Sequence, residues 1–317
     1  MQRFYPASRP NTLHDKVIND IASQRFMPPS SARTDLRIAK TLGMDDDARA
    51  ALARITELVK TQKTAVAGRF MPDAEVSARM AALGVVENVG EADFFRFSRI
   101  VIPYSGVAPK NRRDWEKNGH RLEDLSSPQV RRAQVALGLL RMEGAQAVVI
   151  GRHDDPETRA IAGDSVATKI IEDTTDTARL VFSPAFGVVC QTNLSPKKVS
   201  WLVQQLRHRY HDARVTFLET ISPAMTARET ALERLLVDCD HVVIVGEPRE
   251  ASCEALVETA VRRGKQAVIV AKPEDLDPAL RACPRLALTA GAFATDEAIR
   301  AVAEELLASE RTSSAQR

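Results

Sequence analysis

Apolar and polar positions along the chain follow two alternating patterns. Short runs of mostly consecutive apolar residues occur at 64–68 (TAVAG), 98–104 (SRIVIPY), 145–151 (AQAVVIG), 178–183 (ARLVFS), 186–192 (FGVVCQT), 213–219 (ARVTFLE), 241–246 (HVVIVG), 265–271 (KQAVIVA) and 285–291 (RLALTAG). Runs of this length and type predict strands buried on both faces. Apolar residues at helical spacing predict amphipathic helices over 46–60, 73–83, 109–118, 128–142, 197–210, 227–237, 251–263 and 295–308. The helix over 128–142 has a clear start in Ser126-Ser127-Pro128, because a serine hydroxyl caps free backbone N–H groups and proline has none to cap. Such alternation of strand and helix defines an α/β class with mainly parallel strands.

A weak internal repeat sharpens this reading. QAVVIGRHDDPETRA (146–160) and HVVIVGEPREASCEA (241–255) both run from a buried strand through Gly and an acidic, Pro-containing loop into a helix. IVIPYSGVAPKNRRDW (100–115) and LALTAGAFATDEAIRA (286–301) follow the same plan. The repeats suggest several small α/β units, with ligands expected at the carboxyl ends of their strands. The expected division is an extension or arm at 1–34 rich in Pro, Ser and Asn, a first unit at 35–120, a second at 121–212 and a third at 213–285. The segment 286–317 is expected to return to the first unit and end in a flexible tail.

Composition narrows the class of function. The 317 residues are 44% apolar and 27% charged, with a formal charge of +2. That balance gives no electrostatic pull toward nucleic acid or a membrane surface. The absence of a spanning apolar run or a signal-peptide core makes the cytoplasm the expected location. Cys190, Cys239, Cys253 and Cys283 lack metal-ligand spacing, and Cys239 and Cys283 beside apolar runs read as small core residues. His208 and His211 sit among arginines with no third ligand nearby, so no metal site is expected. There is no Walker A or G-x-G-x-x-G sequence.

Six loops, taken in order, follow a known set of motifs. YSGVAP (104–109) resembles A-H-G-V-S, and DLSSPQV (124–130) resembles D-A-T-C-P-x-V. GRHDDPETRAIAGD (151–164) resembles G-H-x-x-H-P-E-x-x-G-x-x-G-Q, and CQTNLS (190–195) resembles T-Q-T-T-L-S. ISPAMTARE (221–229) and LTAGAFATD (288–296) resemble I-C-x-A-T-x-x-R-Q and V-T-A-G-A-S-A-P-D. Over about 35–308 the chain therefore resembles the 4-hydroxy-3-methylbut-2-enyl diphosphate reductase (LytB/IspH) family. The resemblance implies a three-unit α/β trefoil around a central cavity, which in that family holds an iron–sulfur cluster on three cysteines.

The positions that would carry this chemistry have changed. The second and third cysteines fall on Ser127 and Ser222, and the first falls near Gly43 or Met44. Serine hydroxyls have a far higher pKa than thiols and are poor cluster ligands. The resemblance therefore implies a divergent member without the cluster, for which reductive removal of a hydroxyl is not expected; no cofactor is expected. The family's diphosphate anchors fall on Gly68, Ser105, Asp155, Glu250, Ser252 and Phe293. Two carboxylates would repel a diphosphate, and Phe293 brings apolar bulk.

What the resemblance keeps is a proton relay. Glu157 matches the family's proton-delivering glutamate, with Gln191 and Thr192 as its orienting partners. A carboxyl held by a hydroxyl and an amide in a closed cavity can act as a general acid or base, its pKa raised by desolvation. The expected function is non-redox chemistry on a small metabolite: elimination, lyase action, hydration or hydrolysis, in specialised biosynthesis. Glu157, Thr192 and Gln191 are the catalytic candidates. Arg69, Ser105, Ser127, Asp155, Ser222, Met225, Ser252 and Phe293 are the substrate-binding candidates, and Lys110, Arg152 and Arg249 are further cations near the loop ends. A pseudoenzyme that binds a metabolite or partner is the alternative, and a homodimer is left open. Simpler structural roles compete at each position: Ser127 as a helix cap, Ser222 as a turn residue before Pro223, and Asp155 and Glu157 as an acidic helix start.

Overall fold

The computed structural model describes residues 35–314 apart from Asp164. The expected arm at 1–34 and the end of the tail at 315–317 lie outside the described residues. In chain order the elements are β1 (Asp35–Ile38), α1 (Asp46–Leu58), β2 (Thr64–Val66), α2 (Ala74–Ala82), β3 (Arg99–Ile102), α3 (Pro109–Lys117), β4 (Leu122–Asp124) and α4 (Pro128–Met142). They continue with β5 (Gln146–Ile150), α5 (Pro156–Ala162), β6 (Lys169–Ile171), α6 (Thr174–Arg179), β7 (Ala185–Cys190), α7 (Pro196–Arg209), β8 (Arg214–Phe217) and α8 (Pro223–Leu235). The last elements are β9 (His241–Val245), α9 (Ala251–Arg262), β10 (Gln266–Val270), β11 (Arg285–Ala290) and α10 (Asp296–Ser314).

Two compact units emerge, one spanning Asp45–Met225 and the other formed by the described residues up to Met44 and from Thr226 onward. The first contains two sheets with strand orders β2-β3-β4 and β6-β5-β7-β8; the second contains one sheet, β1-β11-β9-β10. Every strand pairing in the three sheets is parallel, which requires a crossover between neighbouring strands. The central strands β5, β7, β9 and β11 are almost wholly buried, as their uninterrupted apolar sequences require.

Capping residues set where the helices start. Asp45 accepts from the Ala48 amide, Asp73 from Val76, Ser127 from Gln129, Asp155 from Glu157 and Glu250 from Ser252. Pro follows the cap of α4, α5 and α7, fixing φ at the first helical position. Helix α4 buries Val130, Ala133, Leu137 and Leu140 against Val149 and Val189 of β5 and β7. In the other unit α10 contributes Val302 and Leu306 to a core with Val243, Leu286 and Leu288.

Several expectations change. The run 178–183 is not a strand: it is the end of α6 followed by a connecting segment, with Val181 and Phe182 exposed. Strands β1, β4 and β6 were not anticipated, because three or four residues with mixed polarity give no period to read. Sheet pairing also moves the expected domain boundaries. Strand β11 joins β9 of the third segment and takes β1, from the start of the first, as its other neighbour. Strand β4, at 122–124, completes the sheet of the first segment by pairing with β3.

The pairing register sets out the loops that matter. In β5 and β7, Ile150 lies opposite Cys190, so the segments starting at Gly151 and Gln191 leave the sheet side by side. In β9 and β11, Val245 lies opposite Ala290, which does the same for Gly246 and Gly291.

Candidate functional site

In the Asp45–Met225 unit, Glu157 sits in the first turn of α5 and is only 6% exposed. Its backbone N–H donates to Asp155 Oδ1 at 2.8 Å, and its carboxylate Oε1 accepts the Thr192 backbone N–H at 2.5 Å. The carboxylate is therefore tied to the end of β7 by a short charge-assisted bond. Thr192 in turn accepts the Ser222 N–H on its carbonyl at 2.7 Å, which links the segment before α8 to the same place. Met225 closes this segment as a fully buried side chain, and Ser222 is half-buried.

Gln191 holds the surrounding backbone. Its Oε1 accepts from Arg152 N at 3.1 Å and Thr158 Oγ1 at 2.9 Å, and its Nε2 donates to Asn193 Oδ1 at 2.8 Å. The amide expected to orient Glu157 thus fixes the two loops that carry Glu157 and Thr192; its effect on the carboxylate is indirect. Gly151 makes this possible, since a Cβ there would run into Thr158 Oγ1 and lie 2.8 Å from its Cγ2 and 3.2 Å from Gln191 Cβ. Asp155 is partly buried, and burial raises its pKa against the opposing pull of the Glu157 and Thr158 amides and Arg152.

Ser127 is 4% exposed and caps α4, accepting from Gln129 N at 3.2 Å, while its own N–H donates to the Tyr104 carbonyl at 2.9 Å. The neighbouring Ser126 donates to Asp124. Ser105 is half-buried in the loop between β3 and α3. Gly106, at φ +78°, lets this loop turn against Val130 and Ala160. Arg69 is exposed and donates to Ser77 Oγ at 3.0 Å, a surface pairing within its own neighbourhood. Lys110 pairs with exposed Asp114 in α3, and Arg152 with Asp154.

In the other unit, Glu250 is buried beneath the first turn of α9 with four donors around its carboxylate. Oε1 accepts Ser252 N at 2.9 Å; Oε2 accepts Ser252 Oγ at 2.5 Å, Cys253 Sγ at 3.1 Å and Cys253 N at 3.2 Å. Ser252 Oγ also accepts the Ala292 N–H at 2.7 Å. The donors of this helix start are thus turned onto the protein's own carboxylate. Phe293, 7% exposed, follows in the β11–α10 connection, and Arg249 beside Glu250 is exposed. Buried Arg228 donates through Nη2 and Nε to the Gly43 carbonyl at 2.6 and 3.1 Å.

Among the described residues no group of three or more His, Cys, Asp or Glu side chains could hold a metal ion. His208 and His211 are exposed at the end of α7, and His211 lies beside Asp212 at 3.3 Å. Nor is any described helix long and apolar enough to cross a membrane.

The fold and this geometry define an all-parallel α/β protein with a buried carboxylate where the ends of adjacent strands meet. A family model described as LytB protein matches residues 42–307, so the chain belongs to the LytB family. The 4-hydroxy-3-methylbut-2-enyl diphosphate reductase of Treponema denticola is 26% identical over 285 residues, covering 85% of this chain and 98% of the relative. That of Saccharophagus degradans is 29% identical over 217 residues, covering 66% and 70%. The solved E-1-hydroxy-2-methyl-but-2-enyl-4-diphosphate reductase of Plasmodium falciparum shares the fold, with a TM-score of 0.77 at 20% identity over 85% of this chain and 86% of that one.

The positions that the resemblance matches to cluster cysteines offer no thiol: Ser127, whose hydroxyl caps a helix, Ser222, and the Gly43-Met44 pair, whose Gly43 carbonyl accepts from Arg228. The four thiols lie elsewhere and are all buried. Burial pushes the Cys190 thiol up to about 11, with the Glu157 charge adding to it, and Cys283 also to about 11. Burial raises Cys239 as well, and burial with the Glu250 charge raises Cys253 well above the ordinary range. None is poised as a thiolate at neutral pH.

Sequence reasoning missed Tyr104, although it stood in the quoted loop. It is 8% exposed, its hydroxyl lies 3.4 Å from Asp45 Oδ1, and it shares a side-chain hydrogen bond with Ser127. The available signal was an aromatic residue at a position where the resembling motif has alanine.

Proposed function

We propose that this chain is a LytB-family enzyme that works without an iron–sulfur cluster and performs acid/base chemistry on a small metabolite. Elimination, addition of water, lyase cleavage and hydrolysis are the reactions open to such a site, and a cytoplasmic role in specialised biosynthesis is the setting this reading favours. Glu157 is the proton-transferring group, Thr192 holds its carboxylate through the backbone N–H, and Gln191 keeps both loops in register. Ser105, Ser127, Asp155, Ser222 and Met225 are the candidate lining in the same unit.

The observation that carries this reading is the 2.5 Å bond from the Thr192 amide to a 6% exposed Glu157, in a chain whose cluster-ligand positions hold no cysteine. A carboxylate fixed in this way is positioned for proton transfer and needs no electron source. Glu250 supports a change of substrate as well. Its carboxylate takes the donors of its helix start, so a phosphate there would meet a buried negative charge.

The test is Glu157→Gln, assayed by mass spectrometry of metabolite extracts incubated with the purified protein. The wild type consumes or forms a metabolite, and the variant loses that change while keeping its circular dichroism spectrum. Wild-type turnover by the variant would remove Glu157 from the chemistry. The alternative, an inactive binder, draws on the mutual satisfaction of Glu250 and Ser252. It predicts a metabolite that co-purifies with or shifts the melting of the protein and is never converted.

A further inference from the structure

We infer that the outward face of α4 is an interface for a second copy of this chain, packed antiparallel about a two-fold axis. On its inner side α4 buries Val130, Ala133, Leu137 and Leu140. Helical geometry puts Val135, Leu139 and Met142 together on the opposite side, one and two turns apart. They are 64%, 52% and 85% exposed, so three large apolar side chains stand in water where an amphipathic helix should be polar. Among the described residues no other helix carries more than one large apolar side chain this exposed.

The charges beside this face match the same helix running the other way. Arg131 and Arg132 lie near the start of α4 and Glu143 at its end, and all three are exposed. A cation near a helix start opposes that helix's own dipole, but it is favoured beside the end of another. Arg132 and Glu143 lie on one flank of the Val135–Leu139–Met142 line, about three turns apart. Among the described residues neither is held in an ion pair. A two-fold axis across α4 near residues 138 and 139 sets Val135 opposite the partner's Met142 and brings the two copies of Leu139 together at the centre. The same axis keeps flank on flank, so Arg132 of each copy reaches the partner's Glu143. Parallel packing would instead set Arg132 against Arg132 and Glu143 against Glu143. Arg141, the other cation at the helix end, is turned to the far flank, where it donates to the Ala162 carbonyl at 2.9 Å and to Thr168. A contact limited to one helix face is smaller than the roughly 1,200–2,000 Å² of a stable interface, so this dimer is reversible and forms as concentration rises.

The experiment is sedimentation velocity of the full chain from about 1 to 200 μM. Wild type should pass from monomer to dimer within this range. Leu139→Glu should weaken association at least about a hundredfold, because it brings two carboxylates together at the axis. Arg132→Glu should weaken it at least about tenfold by turning both ion pairs into repulsions. Combining Arg132→Glu with Glu143→Arg should restore it to within about threefold of wild type, which a merely damaged helix would not do. All of these positions are exposed, so the circular dichroism spectra should match wild type. A wild type that stays monomeric throughout overturns the inference, whether residues 1–34 or a different protein covers α4. So does a dimer that Leu139→Glu leaves intact, or one that the double exchange fails to restore. The readout is mass and involves no turnover, so it stands apart from the acid/base reading.

Discussion

Gly151→Ala is the sharpest mechanical test of how the site is held. Gly151 is not in the left-handed region, so alanine meets no backbone penalty there and only the space decides. The added methyl would collide with Thr158 Oγ1, sit 2.8 Å from Thr158 Cγ2 and 3.2 Å from Gln191 Cβ. Thr158 and Gln191 are both fully buried, so neither can swing into solvent. Overpacking of this kind costs about 1–3 kcal/mol. Moving Thr158 also breaks its 2.9 Å bond to Gln191 Oε1, leaving buried polar atoms short of a partner at about 1–3 kcal/mol more. The sum is about 2–6 kcal/mol, or a fall of about 4–24 °C in melting temperature for a unit of this size. Gly138→Ala is the matched control. That glycine lies inside α4 with nothing within 4 Å of a built Cβ, so the same substitution should stabilise by up to about 1 kcal/mol. Urea unfolding of both variants decides the matter. If Gly151→Ala unfolds within about 0.5 kcal/mol of wild type, the close packing of the 151–158 and 191–193 loops is not what holds Glu157 in place.

Other expectations follow from the same geometry. Ser127→Ala removes the α4 cap and should lower the urea-derived stability by about 1 kcal/mol, whereas Ser127→Asn should retain most of it. Glu250→Ala strips the acceptor from four donors and should destabilise by about 2 kcal/mol or more, read by the same unfolding assay. Asp155 has a folded-state pKa raised above its unfolded value, so its contribution is fully stabilising below about pH 3.8 and is lost as pH rises through the raised value. Asp155→Asn keeps the cap and removes this dependence. Its urea midpoint should exceed wild type at pH 7, and that advantage should shrink toward pH 3; an advantage that grows on acidification would contradict the assigned direction.

Much of the architecture could be read from pattern alone, and the reason is burial. Strands β5 and β9 are uninterrupted apolar runs because they are covered on both faces, and α4 begins where Ser127 and Pro128 mark it. The short edge strands β1, β4 and β6 gave no such signal: DLRI, LED and KII carry too few residues for a period, and only pairing with a neighbour makes them strands. The run at 178–183 misled for the opposite reason, since Val181 and Phe182 are apolar yet exposed. At the site, Glu157 could be matched because it sits in the first turn of α5, and Thr192 because it lies two residues past β7. The contacts of Gln191 could not be read, because which way an amide points depends on Thr158, Arg152 and Asn193, residues that only the register of β5 against β7 brings together. Tyr104 was missed for the same physical reason: its partner Asp45 lies far away in sequence, and only folding brings the two together.

Anaerobic reconstitution of the full chain with iron and sulfide, followed by desalting and elemental analysis, tests most directly whether proton chemistry stands here without an electron store. The account predicts protein that retains no stoichiometric iron or sulfide and shows no cluster absorption. Stoichiometric iron and sulfide bound to the wild-type chain, lost when Ser127 and Ser222 are both replaced by alanine, would contradict it.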